Sequence, residues 1–250
     1  GFPANTVLGF VDDTANKLIG LDVHREVVVA MVPIGYSPRA KVRLRSVRPL
    51  SLETFPPCSE EEISLSAIMD IHNASSLTRP EEVAAWRNGE VSRAHTTSLR
   101  DPQGKIVPLY DFEPETLPKD LVEDVIVRRG STRKFARESV SLREFSMVLL
   151  RSTEILPTDF LQGALGSLND IYVIVNAVDG LDPGTYVLHR DARALEQLAG
   201  GDFREQAQIL SCSQPTELAR DASANIFFMC DLEATLKAFG NRGYRAAQLE

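Results

Sequence analysis

The sequence predicts a fold of mixed helices and strands, and three features of its 250 residues predict it. Apolar residues recur at three- and four-residue spacing within charged stretches, as in Leu121, Val122, Val125 and Ile126, which is the pattern of amphipathic helices. Ser59 with Glu62, and Ser141 with Glu144, stand as capping-box pairs just ahead of such stretches. On either side of them lie two apolar runs: the β-branched, nearly wholly apolar E-V-V-V-A-M-V-P-I-G near the start reads as a buried strand, and I-Y-V-I-V-N-A-V from Ile171 reads as another strand. With 43% hydrophobic and 25% charged residues, the chain can bury a sizeable core in one or two domains.

Taken in order, residues 1–37 hold a helix at Asp12–Leu18, a stop at Gly20 and the strand Val27–Ile34. Residues 38–117 are Pro-rich and charge-segregated and read as a linker interrupted by two helices. One starts at the Ser59 box and carries Ile63, Leu65, Ile68 and Met69; the other starts around Thr78 and Pro80, carries Trp86 and stops near Gly89. From residue 118 helices and strands alternate again. A helix is expected from Pro118 to Arg129, and the Ser141 box opens another with Phe145, Val148 and Leu149. The strand Ile171–Val178 then turns through Gly180–Gly184, with Pro183, into a hairpin partner at Thr185–Leu188. Helices are expected at Ala192–Leu198 and Phe203–Leu210, a strand at Asn225–Cys230, and a last helix from Leu232 broken at Gly240 and Gly243.

Charge and cysteine content exclude several classes. A net charge of -8 and a pI near 5.2 argue against a polyanion-binding surface over the whole molecule. Arg39, Lys41, Arg43, Arg45 and Arg48 sit mostly at alternate positions, yet no aromatic residues interleave them for base stacking. A solvated linker is the expectation there, not a nucleic-acid strip. Cys58, Cys212 and Cys230 lack metal-type spacing and point to a reduced, cytoplasmic protein. Asp70 and His72 have no further ligands in pattern and read as surface polar residues, so no metal is expected. No signal peptide and no apolar stretch of about 18 residues suggests a membrane partner.

The nine residues Val127 to Phe135, V-R-R-G-S-T-R-K-F, concentrate the chemistry. Three guanidiniums, a hydroxyl and a glycine fall within six positions there, the donor set of a phosphate grip: forked Arg donors, a Ser hydroxyl and a Gly that lets backbone approach an anion. A plainer reading stands beside it. Arg128 and Arg129 would complement the C-terminal dipole of the preceding helix, and Gly130 would be its left-handed cap.

The strings R-R-G-S-T-R-K-F, I-Y-V-I-V-N-A-V-D-G-L-D-P-G-T-Y, G-D-F-R and G-N-R-G-Y-R-A-A-Q-L-E, in this order and spacing, resemble the first half of a nitroreductase-superfamily domain of the SagB type, the dehydrogenases of thiazole- and oxazole-forming peptide systems. G-F-V-D-D-T-A-N-K-L-I-G-L-D-V-H-R-E-V-V-V-A-M-V-P-I-G resembles the closing helix and final core strand of such a domain. The resemblance covers roughly 1–37 and 120–250. It implies a tandem arrangement: residues 1–37 as the tail of one domain, 38–117 as a linker with short helices, 118–250 as the head of a second, neither complete. The implied fold is α+β, a mixed, mostly antiparallel sheet with packed helices.

The resemblance also implies function: an FMN-dependent oxidoreductase moving hydride, with NAD(P)H or a substrate carbon as donor, on a small-molecule or modified-peptide substrate. Its relatives act as dimers, which implies a homo-oligomer or an intramolecular pseudo-dimer here. Carried over by position, Arg129, Gly130, Ser131 and Arg133 would hold the flavin phosphate and ribityl chain, and Leu8 and Gly9 would lie near the reactive edge of a flavin ring. Tyr244 is a weak candidate proton donor. The pattern departs in two places. Q-G-A-L-G-S-L-N-D supplies only part of a Ser/Gly-rich loop, and Ala238 and Phe239 stand where azoline-oxidising relatives carry a Lys-Tyr pair, which weakens an azole-forming assignment. The alternative is a flavin-less scaffold that keeps the fold.

Overall fold

Three of the described helices begin where a side chain accepts from nearby backbone amides. In the computed structural model, Ser141 Oγ accepts from Glu144 N at 3.2 Å while the Glu144 carboxylate takes Ser141 N at 3.1 Å and the hydroxyl at 2.7 Å, and these bonds hold that carboxyl below its ordinary value. Glu82 does the same ahead of its helix, receiving Thr78 N at 2.7 Å, Thr78 Oγ1 at 3.0 Å and Arg79 N at 3.2 Å. Asp231 caps another helix through Ala234 N.

The structure describes residues 3–35, 49–50, 61–88, 102–112, 118–154, 157–161, 167–211 and 217–249. Its elements in chain order are α1 (Asp12–Leu18), α2 (Ser66–Ser75), α3 (Pro80–Arg87), β1 (Ile106–Pro108), α4 (Val122–Arg128), β2 (Val140–Ser141), α5 (Leu142–Ser152), β3 (Asn169–Val175) and β4 (Val178–Asp179). There follow β5 (Gly184–His189), β6 (Ala194–Gly200), α6 (Arg204–Leu210), α7 (Leu218–Asp221), β7 (Ala224–Cys230), α8 (Leu232–Phe239) and α9 (Gly243–Leu249), the last two joined by a 3-10 turn, Gly240–Arg242.

Two compact units share these elements, and neither is continuous in sequence: residues 1–98, 155–169 and 230–250 form one, residues 99–154 and 170–229 the other. They do not coincide with the ranges 1–37, 38–117 and 118–250.

In the first unit, the extended stretch before α1 bridges residues 31–34 at Val7↔Met31 and Ala4↔Ile34, both antiparallel, and bridges Thr158 at Thr6. Its core gathers Leu8, Trp86, Phe160, Leu161, Leu168, Phe239 and Ala246. Trp86, Phe160 and Phe239 form a ring triad with centroids 5.6–5.7 Å apart, and Trp86 Nε1 donates to Phe239 O at 3.0 Å.

The second unit is built on a five-stranded sheet of order β1-β6-β5-β3-β7, in which β1-β6, β6-β5 and β5-β3 pair antiparallel; β2 and β4 form a separate parallel pair. Phe145, Leu149 and Leu150 of α5 pack on Ile171, Val173, Val175, Tyr186, Leu188 and Leu195 of the sheet. The expected α+β architecture with a mainly antiparallel sheet is therefore present.

Several expected elements change. Ala192–Leu198 is not a helix but lies mostly in β6: Arg193, at φ 48°, turns the chain back after β5, and the ladder with β5 buries Ala194, Leu195 and Glu196, overriding helix propensity. Val27–Ile34 is not a buried strand. Among the described residues it joins other strands only at the two bridges, Val28 N donates to Asn16 Oδ1 at 2.9 Å, and Val29, Val32 and Ile34 stand 53–70% exposed. α2 starts at Ser66, beyond the expected box, and Glu62 pairs with Arg25. α4 is shorter than Pro118–Arg129, and it ends with Arg129 extended at φ -76°, ψ 125°, so Gly130 is not a left-handed cap. The basic strip Arg39–Arg48, Cys58, Ser59 and Cys212 lie outside the described residues.

Candidate functional site

The segment that carries the phosphate-type donors belongs to the second unit. Every residue from Val127 to Phe135 is exposed. Arg128 pairs with Asp120, just ahead of its helix, at 3.2 Å. Among the described residues, the side chains of Arg129, Ser131 and Arg133 bond to nothing, and a Cβ at Gly130 would meet no atom within 4 Å. Just beyond, the chain is pinned. Arg137, at φ 61°, pairs with the largely buried Asp221, Ser223 Oγ donates to Glu138 O at 2.8 Å, and Val140 pairs with Val178. The four candidates thus form an open run of donors leading into an anchored end. Two free guanidiniums, a hydroxyl and unhindered backbone suit a phosphate group in chemistry.

Leu8 and Gly9 lie in the other unit and are built differently. All four of their backbone polar groups are held by charged side chains. Leu8 N donates to Asp159 Oδ1 at 2.8 Å and Gly9 N to Asp159 Oδ2 at 3.1 Å. Leu8 O receives Arg242 Nε at 2.8 Å, and Gly9 O receives Arg87 Nη2 at 2.5 Å. Both amides are therefore engaged within the chain.

Behind this loop is a buried ionic network. Asp12, at the start of α1, accepts from Leu77 N at 2.8 Å, Arg242 Nη1 at 2.7 Å and Arg245 Nη1 at 2.6 Å. Arg242 lies over the rings of Phe10 and Trp86 at 4.8 and 5.8 Å. Burial lowers its guanidinium from the ordinary value and Asp12 opposes that. Arg245 reaches Ser75 Oγ at 3.1 Å and His72 Nδ1 at 3.0 Å; burial first, then Arg245, holds the His72 pKa down. His72 is thus part of this network and not a free surface residue. No group of potential metal ligands occurs among the described residues.

Tyr244 is 40% exposed, and its hydroxyl has no hydrogen bond among the described residues. Sequence reasoning missed Arg87, Asp159, Arg242 and Arg245. The only hint was the pairing of D-D at residues 12–13 with the two arginines of R-G-Y-R, opposite charges 230 positions apart between Asp12 and Arg242.

No protein-family model matches the chain. The computed structure is similar to the crystal structure of a candidate nitroreductase from Anabaena variabilis, with a TM-score of 0.62 and 17% identity over 99% of this chain. The fold is nitroreductase-like. In sequence, 137 residues are 24% identical to a curated protein of Methanocaldococcus jannaschii described as a candidate nitroreductase, over 52% of this chain. The chain spans half the length of the Anabaena protein and 66% of the Methanocaldococcus protein. None of the described helices of the nitroreductase-like fold is long and apolar enough to cross a membrane.

Proposed function

We propose that this chain is part of an FMN-dependent oxidoreductase of the nitroreductase superfamily, of SagB-like type, and that Arg129, Gly130, Ser131 and Arg133 hold the flavin phosphate. The observation that carries the reading is the donor run itself, two guanidiniums and a hydroxyl that have no partner among the described residues, on an exposed segment of a nitroreductase-like fold. The guanidiniums would offset the phosphate's charge and present forked donors to its oxygens, while Ser131 Oγ adds a third. Arg137 and Ser223, by fixing the chain after the run, limit the ordering that binding requires.

When bound, FMN supplies hydride transfer, with NAD(P)H as a reasonable electron donor. The residues give no support to azoline oxidation. Ala238 is half-buried and Phe239 sits in the aromatic core, so neither offers a proton-transfer group. A small molecule or a modified peptide is the proposed substrate class, and a homo-oligomer or pseudo-dimer, located in the cytoplasm, the proposed working form. Leu8 and Gly9 play no part in this proposal while Asp159 holds their amides.

The test is flavin content and titration. The purified protein should take up FMN and show flavin absorption, and Arg129→Ala should weaken binding about 10- to 100-fold, the worth of one charge-assisted bond of about 1.5–3 kcal/mol. A colourless protein that binds no added FMN overturns the reading.

A further inference from the structure

We propose that Leu8, Gly9 and Arg87 form a carboxylate-binding seat that Asp159 fills from within the chain, and that this internal occupant is what withholds the seat from external carboxylates. Two consecutive amides point at the two oxygens of one carboxylate, at 2.8 and 3.1 Å. Arg87 Nε adds a third donor, at 2.8 Å to Oδ2. A planar, two-oxygen anion matches that arrangement, as it matches other concavities of successive backbone N–H groups.

The seat keeps its shape without help from Asp159. Met31 N donates to Val7 O at 3.0 Å, and Arg242, 2% exposed, grips Leu8 O at 2.8 Å, so the peptide planes that carry the Leu8 and Gly9 amides are both fixed from the carbonyl side. Leu8 itself is fully buried in the core of its unit. The seat also needs a glycine. A Cβ at position 9 would come within 2.4 Å of Arg87 Nε and 2.9 Å of Asp159 Oδ2. One side remains open to water, since the Arg87 side chain is 41% exposed while that of Asp159 is 11% exposed. Removal of the Asp159 carboxylate therefore leaves three directed donors without an acceptor, and a small carboxylate from solution can replace it. In the native chain Asp159 is tethered beside the seat, and its effective concentration excludes dilute competitors.

The experiment is chemical rescue, and it reads stability, independent of flavin. Asp159→Ala should lower the Tm, and sodium formate should restore at least half of the loss by about 100 mM, saturably, as a ligand bound only by the folded state does. Sodium chloride at matched ionic strength should not. Asp159→Asn keeps the seat filled and should show no formate effect, and Arg87→Ala combined with Asp159→Ala should abolish rescue. If Asp159→Ala does not stay folded, refolding yield in formate against chloride is the readout, and a higher yield in formate supports the seat. Equal effects of formate and chloride, no effect of formate on Tm or yield, or rescue that persists without Arg87 overturns it.

Discussion

Replacing Asp12 by Asn removes the anion on which two cations converge. Asp12 is 1% exposed and serves Leu77 N, Arg242 Nη1 and Arg245 Nη1 at 2.6–2.8 Å. Asn keeps the shape and one acceptor oxygen, so the change isolates the charge. Arg242 is 2% exposed and cannot regain water once its counter-ion is gone. A buried cation stranded in this way costs about 3–5 kcal/mol. Urea denaturation followed by tryptophan fluorescence reads the loss directly, because Trp86 is the only tryptophan in the sequence and lies in the same unit's core. At a slope of about 2 kcal/mol per molar urea, the midpoint should fall by roughly 1.5–2.5 M. Removing the cation too, in Asp12→Asn with Arg242→Met, should recover part of the loss, with a coupling of at least about 1.5 kcal/mol. A single variant within about 1 kcal/mol of the wild type, or a double variant whose losses merely add, would refute the account of an ion-locked core.

Other outcomes follow in the same terms. Glu196, 2% exposed, accepts from Gln103 N, Gly104 N and His189 Nε2, and these bonds, that to Gln103 N most of all, lower its pKa from 4.5 to about 2. Its folded value is depressed, so its stabilisation is complete above about pH 4.5 and gone by about pH 2. The Tm gap between wild type and Glu196→Gln should close over that window, and a gap constant with pH would contradict it. His72 is also depressed, by burial and Arg245, so the neutral ring is the folded form. Stability should therefore decline as pH falls below about 6.5, and His72→Gln should flatten that slope between pH 7.5 and 5; identical slopes would count against the His72–Arg245 contact. Gly104→Ala places a Cβ 2.0 Å from the Gln197 carbonyl oxygen, backbone that cannot yield cheaply, and should cost about 1–3 kcal/mol by thermal denaturation; an unchanged Tm would mean the segment before β1 moves freely.

Local chemistry made much of the fold legible. The Ser141–Glu144 box, the Pro183 turn, the strand at Asn225–Cys230 and the break between α8 and α9 all depend on neighbours a few residues away. So did the free donor run at Arg129–Arg133, whose residue types alone suggest an anion. Pairing across distance was not legible. D-A-R-A-L-E-Q-L reads as helix until β5 supplies a ladder, and V-V-V-A-M-V-P-I reads as a core strand until only two bridges are found beside it.

What the sequence alone determined, then, was the class of fold and where phosphate-type donors collect, because periodicity, caps and residue chemistry are written in adjacent positions. Only the tertiary structure decided that Leu8 and Gly9 are held by Asp159, Arg87 and Arg242, and that Asp12 joins α1 to the arginines near the other end of the chain. A carboxylate finds its guanidinium through folding, and sequence separation carries no record of which pairs will share a buried site.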